Sequence, residues 1–185
     1  MLVLGIDPGS ETTGWGVVEG DARRCKLVGY GTVKASARLR FATRLLKISD
    51  GVEAVIRRYN PDACAVEQAF YAINVQTAIK LGQVRGVILL AAERAGIEIA
   101  EYAPRLVKQT VVGYGAAEKQ QVQEMVRVLL GMKEVPQPHD AADALAIAVT
   151  HLHHTSPAGR AAQPTNRPPA RVKLEALLRE NARRR

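Results

Sequence analysis

Short apolar runs separated by turn-forming residues dominate the first third of the chain. The runs cover 2–6, 14–18 and 25–33, and Pro8-Gly9 and Gly20-Asp21 lie between them. Short apolar or β-branched runs divided by Gly, Pro and Asp are typical of strands joined as hairpins. The sequence therefore predicts three antiparallel strands at the start of the chain.

After the third strand, apolar residues recur at the spacing of a helix. Two short apolar runs, at 63–66 and 97–100, interrupt this pattern and predict two further strands. A helical segment is also expected after Pro104, and the longer predicted helices cover 37–59, 74–95, 117–130 and 140–154. Strands that alternate with helices indicate an α/β fold, here a mixed sheet flanked by helices.

Composition and charge divide the chain into two parts. With 185 residues and 47% apolar content, the chain suits one globular domain, which we assign to residues 1–154. Residues 155–185 carry eight basic and two acidic residues, a net charge of +6, and their Pro-rich composition predicts a flexible tail. A basic tail suits a polyanionic partner, with a solubilising role as the alternative.

Cysteine usage and hydropathy bear on location. Cys25 and Cys64 lie in apolar surroundings without the spacing of zinc ligands or disulfides, so we expect small core residues in a reducing compartment. The opening MLVLGI is too short for a signal peptide, and no apolar run reaches the roughly 18 residues of a membrane span. A cytoplasmic protein is expected.

Acidic residues finish two of the predicted strands. Asp7 follows the first apolar run and Glu67 follows the fourth. Parallel strands in α/β sheets gather functional groups at their carboxyl ends, so we expect these two side chains to face each other. For either residue alone, an acid that simply enters solvent is the alternative.

A third acidic cluster opens the last predicted helix. Asp140 and Asp143 are three residues apart, so they share one helix face near its positive end. Helix capping is the alternative explanation, but the helix has almost no polar face and should be buried. Four carboxylates brought together require cations, and Mg²⁺ prefers oxygen ligands. Two such ions can support phosphoryl displacement.

Four segments stand out together along the chain: GIDPGSETTGWGVV, AVEQAFYAIN, VKQTVVGYGAAEKQQV and HDAADALAIAVTH. In their order and spacing they resemble the RuvC family of Holliday-junction resolvases, and the resemblance covers about residues 1–154. The resemblance implies a ribonuclease H-like fold with a five-stranded mixed sheet. It also implies a homodimeric, magnesium-dependent endonuclease that makes paired, symmetric nicks in a four-way DNA junction.

The resemblance also assigns site residues. Asp7, Glu67 and Asp140 match the acidic metal ligands and Asp143 matches the fourth acid, which implies two Mg²⁺ ions with Mn²⁺ as a substitute. Some relatives have histidine where this chain has Asp140. His139 is expected to be a loop residue and not a ligand.

Further residues are assigned to DNA contacts. Phe70 matches an aromatic residue that stacks on bases, and Tyr71 follows it. Lys108 and Lys119 match basic residues near the scissile phosphate. A core position for Phe70 and ordinary solvation of Lys119 are the alternatives.

The predicted helix 74–95 contains Gly82 and Gly86, four residues apart and therefore on one face. Each interior glycine costs about 1 kcal/mol relative to alanine. Close packing against a second subunit and close packing on the chain's own sheet both explain them.

Relatives are associated with the RuvA and RuvB motor, a further expected partner.

Other function classes fit less well. A sugar-kinase or actin-like phosphotransferase also opens with a strand, an acid and a Gly-rich hairpin, but it needs a second domain and an adenosine pocket. A dinucleotide-binding fold lacks its G-x-G-x-x-G motif after a strand. A non-catalytic junction-binding module and a related nuclease acting on RNA are the remaining alternatives.

Overall fold

A computed structural model describes residues 1–68 and 74–155 and contains one five-stranded sheet. The strands are β1 (Leu2–Asp7), β2 (Thr12–Gly20), β3 (Cys25–Lys34), β4 (Ala63–Glu67) and β5 (Glu98–Tyr102). Their order across the sheet is β3-β2-β1-β4-β5, with β1, β2 and β3 antiparallel and with β4 parallel to both β1 and β5. The predicted mixed sheet and its three antiparallel strands are confirmed.

Within the described ranges, five helices cover the two faces of this sheet. They are α1 (Phe41–Tyr59), α2 (Val75–Arg94), α3 (Pro104–Val112), α4 (Lys119–Leu129) and α5 (His139–Thr155). The packing of α1 and α2 forms one apolar core, which includes Ile48 and Ile88, and α3, α4 and α5 form the other, which includes Val126 and Leu145. The sheet therefore lies between two helical layers.

Helix α1 begins at Phe41, so the predicted start at residue 37 is wrong. The Ser36 carbonyl accepts the N–H of Leu39 at 3.0 Å, and its hydroxyl accepts the N–H of Arg38 at 3.3 Å. Such local bonds offer the backbone an alternative to the helix. Arg40 is extended, with φ −56° and ψ 143°, and marks the true helix boundary.

Strand β5 is longer than expected, because it runs to Tyr102 and not to Ala100. Its ladder with β4 continues until Glu67 pairs with Tyr102. The expected core cysteine Cys64 is buried and free, whereas Cys25 is free but only half-buried.

The outer face of α2 is open. A Cβ atom at Gly82 or Gly86 would meet no described atom within 4 Å apart from its own chain neighbours and the adjacent backbone of α2. Close packing of these glycines on the chain's own sheet is therefore wrong.

Two expected features lie outside the described residues: the pair Phe70 and Tyr71, and the basic tail from residue 156 onward. Across the part of the chain that the structure describes, no helix has both the length and the apolar character needed to cross a membrane.

Candidate active site

Asp7 and Glu67 finish neighbouring strands at the same edge of the sheet. β1 and β4 are parallel, and Ile6 pairs with Val66, so the next residue on each strand is an acid. Adjacent strands are about 4.8 Å apart, which makes the two carboxylates neighbours. Both residues are half-buried. The prediction that these two acids converge is confirmed.

Helix α5 brings the other two acids to the same edge because it lies directly on β1 and β2. A Cβ added at Gly5 would collide with the Ala144 carbonyl oxygen, and one added at Gly14 would collide with the Asp140 carbonyl oxygen. Only glycine permits so close an approach of a helix to these strands. Gly14 pairs with Asp7 in the sheet, so the first turn of α5 lies beside Asp7.

The acids act on one another electrostatically. Burial, followed by the charges of Glu67, Asp143 and Asp140, raises the pKa of Asp7 to about 8, against a smaller opposing effect of Lys119. Burial and Asp143 raise the pKa of Glu67 to about 7. Carboxyl groups with strongly raised pKa values are concentrated at functional sites of proteins. All four acids therefore belong to one partly desolvated cluster.

Capping does not account for the acids of α5. Neither Asp140 nor Asp143 accepts a hydrogen bond from a backbone N–H within residues 1–68 and 74–155. The Oδ2 atom of Asp143 instead lies 2.7 Å from the Nζ atom of Lys119.

Lys119 is the first residue of α4 and supplies positive charge to the cluster. Partial burial lowers its pKa, but the hydrogen bond to Asp143 and the charges of Asp143, Asp7 and Asp140 outweigh that effect and raise the pKa. The ammonium group is therefore charged at neutral pH. A cation at a helix start opposes the helix dipole, so the acids are what hold it there.

Lys108 lies on α3 and contributes to the same site. It lines a cavity of about 170 Å³ together with Glu67, Lys119 and Asp143. Its charge lowers the pKa of Glu67. The two predicted lysines and all four predicted acids are thus brought together.

The donor set is suited to hard divalent cations. Within residues 1–68 and 74–155, no three acidic, histidine or cysteine side chains converge closely enough to enclose a metal ion by themselves. Mg²⁺ does not need such an enclosure, since it keeps several waters and takes one or two carboxylates with substrate phosphates. Burial and the neighbouring acids raise the pKa values of Asp7 and Glu67, and a bound cation would offset both effects. The residues therefore fit divalent metal.

His139 is the first residue of α5, so its assignment to a loop is wrong. Its Nδ1 atom lies 2.9 Å from Nε2 of the buried Gln123. This contact fixes the ring beside α4.

Sequence reasoning missed Arg44, which supports the turn that follows Asp7. Its side chain is buried, and its Nε and Nη2 groups both donate to the Ser10 carbonyl, the former at 2.8 Å. The guanidinium also lies over the Phe41 ring, 5.5 Å from its centroid. A basic residue on the apolar stripe of α1 was the signal available in the sequence.

Comparison with known proteins adds a family and close relatives. The model of the family described as crossover junction endodeoxyribonuclease RuvC matches residues 3–151. A protein of that name from Syntrophomonas wolfei is 54% identical over 153 residues, which are 83% of this chain and 89% of the relative. The counterpart from Heliobacterium modesticaldum is 52% identical, over 83% of this chain and 94% of its own length.

Solved structures give the same picture. T. thermophilus RuvC in complex with a Holliday junction substrate superposes with a TM-score of 0.81 at 40% identity, covering 87% of this chain and 96% of that one. The yeast mitochondrial Holliday junction resolvase Ydc2 superposes with a TM-score of 0.60 at 14% identity, over 81% of this chain and 78% of its own. The second likeness concerns the fold alone, and the fold is ribonuclease H-like.

Proposed function

The chain belongs to the RuvC family of crossover junction endodeoxyribonucleases, and we propose that its acidic cluster cuts opposing strands of a four-way DNA junction in a paired, symmetric manner. The observation that carries the proposal is the convergence of Asp7 with Glu67, Asp140 and Asp143 in a partly buried cluster, where burial and then the charges of the other acids raise the pKa of Asp7 to about 8. The relative that was solved with a Holliday junction substrate supports the choice of DNA. Action on DNA fits a cytoplasmic location.

Nucleases of this family depend on divalent metal, and we assign two Mg²⁺ ions to this site, with Mn²⁺ as a substitute. Asp7, Glu67, Asp140 and Asp143 would hold them. When bound, such ions supply Lewis-acid chemistry: they activate a water molecule and stabilise charge on the leaving oxygen. Each ion needs only one or two of these carboxylates, because water and phosphate oxygens fill the other positions.

The chain's own residues perform the other tasks. Asp7 is fixed from two sides, since it ends β1 and precedes the turn held by Arg44. Lys119 and Lys108 present positive charge at the wall of the cavity, where a DNA phosphate would enter beside Glu67. The Nζ atom of Lys119 lies 2.7 Å from Asp143, and it would be available to a DNA phosphate if Asp143 held a metal ion. Phe70, which follows this site in the sequence, is assigned to base stacking by family resemblance, and Tyr71 beside it is assigned to DNA contact.

A homodimer would present two such sites to a substrate with near two-fold symmetry. Helix α2 carries a stripe of exposed apolar residues and glycines, spaced three or four residues apart: Val75, Ile79, Gly82, Gly86 and Leu90. Val75 is 75% exposed and Ile79 57% exposed, and the glycines leave room for another backbone. A second copy of this helix is the occupant that we propose. Paired nicks then follow from the symmetry.

The decisive experiment compares the wild type with Asp7→Asn on a synthetic four-way junction and on linear duplex, each with Mg²⁺, Mn²⁺ or chelator. We expect symmetric nicks in the junction alone, dependent on metal and abolished in the variant. Junction binding in gel-shift assays should persist in the variant, because the basic groups are retained. Metal-independent cutting, or nicking by the variant, would contradict the proposal.

A non-catalytic binding module is the second candidate, and it predicts binding without any nick. A complex of RuvA and RuvB is a further partner that the family resemblance suggests. Addition of that complex should stimulate cutting of a junction that needs branch migration, whereas equal rates with and without it would remove this partner.

A further inference from the structure

We propose that the connection between β3 and α1 binds the DNA backbone on the side of the acidic cluster away from Lys108 and Lys119. This segment, residues 34–40, is here named the basic loop. Its three charged residues are Lys34, Arg38 and Arg40, and it contains no acid. The proposal rests on the proposed DNA substrate and concerns where a strand continues after it leaves the scissile position.

The basic loop carries an excess of positive charge that the chain after it lacks. Residues 34–40 contain three basic residues and no acid, whereas residues 41–154 contain twelve of each. The three cations of the basic loop are exposed. None of their side chains forms an ion pair or a hydrogen bond with the residues that the structure describes. These charges are therefore available to a partner.

The basic loop lies at the same edge of the sheet as the acids. Asp7 pairs with Gly14, and Gly14 pairs with Thr32 on β3. Two strand spacings and two further residues put the backbone of Lys34 about 12 Å from that of Asp7. With a rise of about 3.4 Å per nucleotide along a strand, this distance corresponds to a few nucleotides.

The basic loop is also attached firmly to the turn beside the site. The N–H of Ala35 donates to the Glu11 carbonyl at 2.8 Å, and the Ala35 side chain is fully buried. Arg44 holds Ser10 in the same turn. Glu11, the acid of that turn, has its carboxylate 3.8 Å from Arg44. It forms no ion pair with the cations of the basic loop. Because this backbone is already fixed, contact with phosphate orders only the side chains of its cations.

Ordinary surface solvation is the competing explanation, and the start of β3 with the turn before it supplies a matched control. Arg23, Arg24 and Lys26 are likewise two arginines and one lysine, exposed and without an ion pair in the described parts of the chain. They lie at the opposite edge of the sheet, where β3 starts. Eight residues of strand separate Lys26 from Lys34, which is about 26 Å.

The test measures the dissociation constant of a four-way junction as a function of salt, in chelator, in an Asp7→Asn background. Two full-length triple variants are compared: K34Q/R38Q/R40Q, and the control R23Q/R24Q/K26Q. Loss of each phosphate contact lowers the slope of log K against log salt by about 0.9. For the loop variant, we expect the magnitude of this slope to fall by about 2 to 3. We expect its affinity for the junction at 0.1 M salt to fall about tenfold or more. The control variant should match its parent.

A second readout separates binding from chemistry. With Asp7 intact, the loop variant at saturating protein should nick the junction at the wild-type single-turnover rate, because the acidic cluster is untouched. Equal slopes for the loop variant and its parent, or equal losses in both triple variants, would overturn the inference. If the wild type makes no metal-dependent nicks, the proposed function fails instead, whatever the slopes are. Thermal melts check that both triple variants remain folded.

Discussion

Asp7→Asn is expected to stabilise the metal-free protein while it abolishes cleavage. Burial and the neighbouring acids raise the pKa of Asp7 from its ordinary 3.8 to about 8 in the folded chain. A carboxyl group whose pKa is raised on folding favours the folded state when protonated. That stability is complete below about pH 4 and is lost as the pH rises through about 8. Asparagine resembles the protonated acid in shape and does not ionise.

The size of the effect follows from the two pKa values. A difference of about four pKa units corresponds to about 6 kcal/mol for the fully ionised group, and to about 5 kcal/mol at pH 7.5. Asp7 is partly exposed, so water screens much of this cost and we expect about 1 to 3 kcal/mol. For a chain of this size, 2 kcal/mol corresponds to a rise in Tm of about 4 to 8 °C.

The assay is chemical and thermal unfolding of both proteins in chelator from pH 5 to pH 9. The advantage of Asp7→Asn over the wild type should grow with pH across this range. Asp50→Asn removes an exposed acid of α1 and serves as the control, with an expected effect within about 0.5 kcal/mol. Added Mg²⁺ should stabilise the wild type more than Asp7→Asn, because it replaces the missing positive charge. A variant that is less stable than the wild type at pH 8, or an advantage independent of pH, would refute the reasoning.

Three further predictions follow from the packing, the acids and α2. Gly14→Ala should lower the free energy of unfolding by about 3 kcal/mol, since the added methyl meets the backbone of α5. Gly82→Ala, with open space around it, should not destabilise the protomer in urea unfolding, and similar losses in both variants would contradict this account. Mg²⁺ binding at pH 7 should release protons from the wild type, because Asp7 has a pKa of about 8 and is largely protonated before the metal binds. Calorimetry in buffers of different ionisation enthalpy measures this release. The same release from Asp7→Asn would contradict the assignment of the proton to Asp7. Ile79→Asp should make the protein monomeric in sedimentation experiments. The control Val128→Asp, at a 55% exposed position of α4, should leave the dimer intact. A dimeric Ile79→Asp protein would show that α2 is not the interface.

The convergence of Asp7 and Glu67 was predictable because it depends on local rules. Each residue follows a short β-branched run, and parallel neighbouring strands bring their carboxyl ends to one edge. Burial of α5 was predictable for a similar reason, since its sequence offers almost no polar face. These patterns are read from a few consecutive residues.

Features that depend on contacts between distant residues were not predictable. The ion pair of Lys119 with Asp143 joins two helices, and the bonds from Arg44 to Ser10 span 34 residues of sequence. Nothing in a helical repeat specifies the carbonyl that a buried arginine will meet. The start of α1 was mispredicted because the apolar spacing continued through residues whose local hydrogen bonds favour a turn.

Helix α5 links the stability of the fold to the chemistry of the site. Its middle, from Ala144 to Leu152, is buried in the core, while Asp140 and Asp143 at its start face the sheet edge that carries Asp7. The same close approach over Gly14 that packs the core also forces carboxylates together and raises the pKa of Asp7. A change that relaxes this packing would lose core stability and, because it separates the acids, affinity for divalent cations as well. Removal of one acid from an intact core relieves repulsion but also removes a ligand, so stability without metal and affinity for metal should then change in opposite directions.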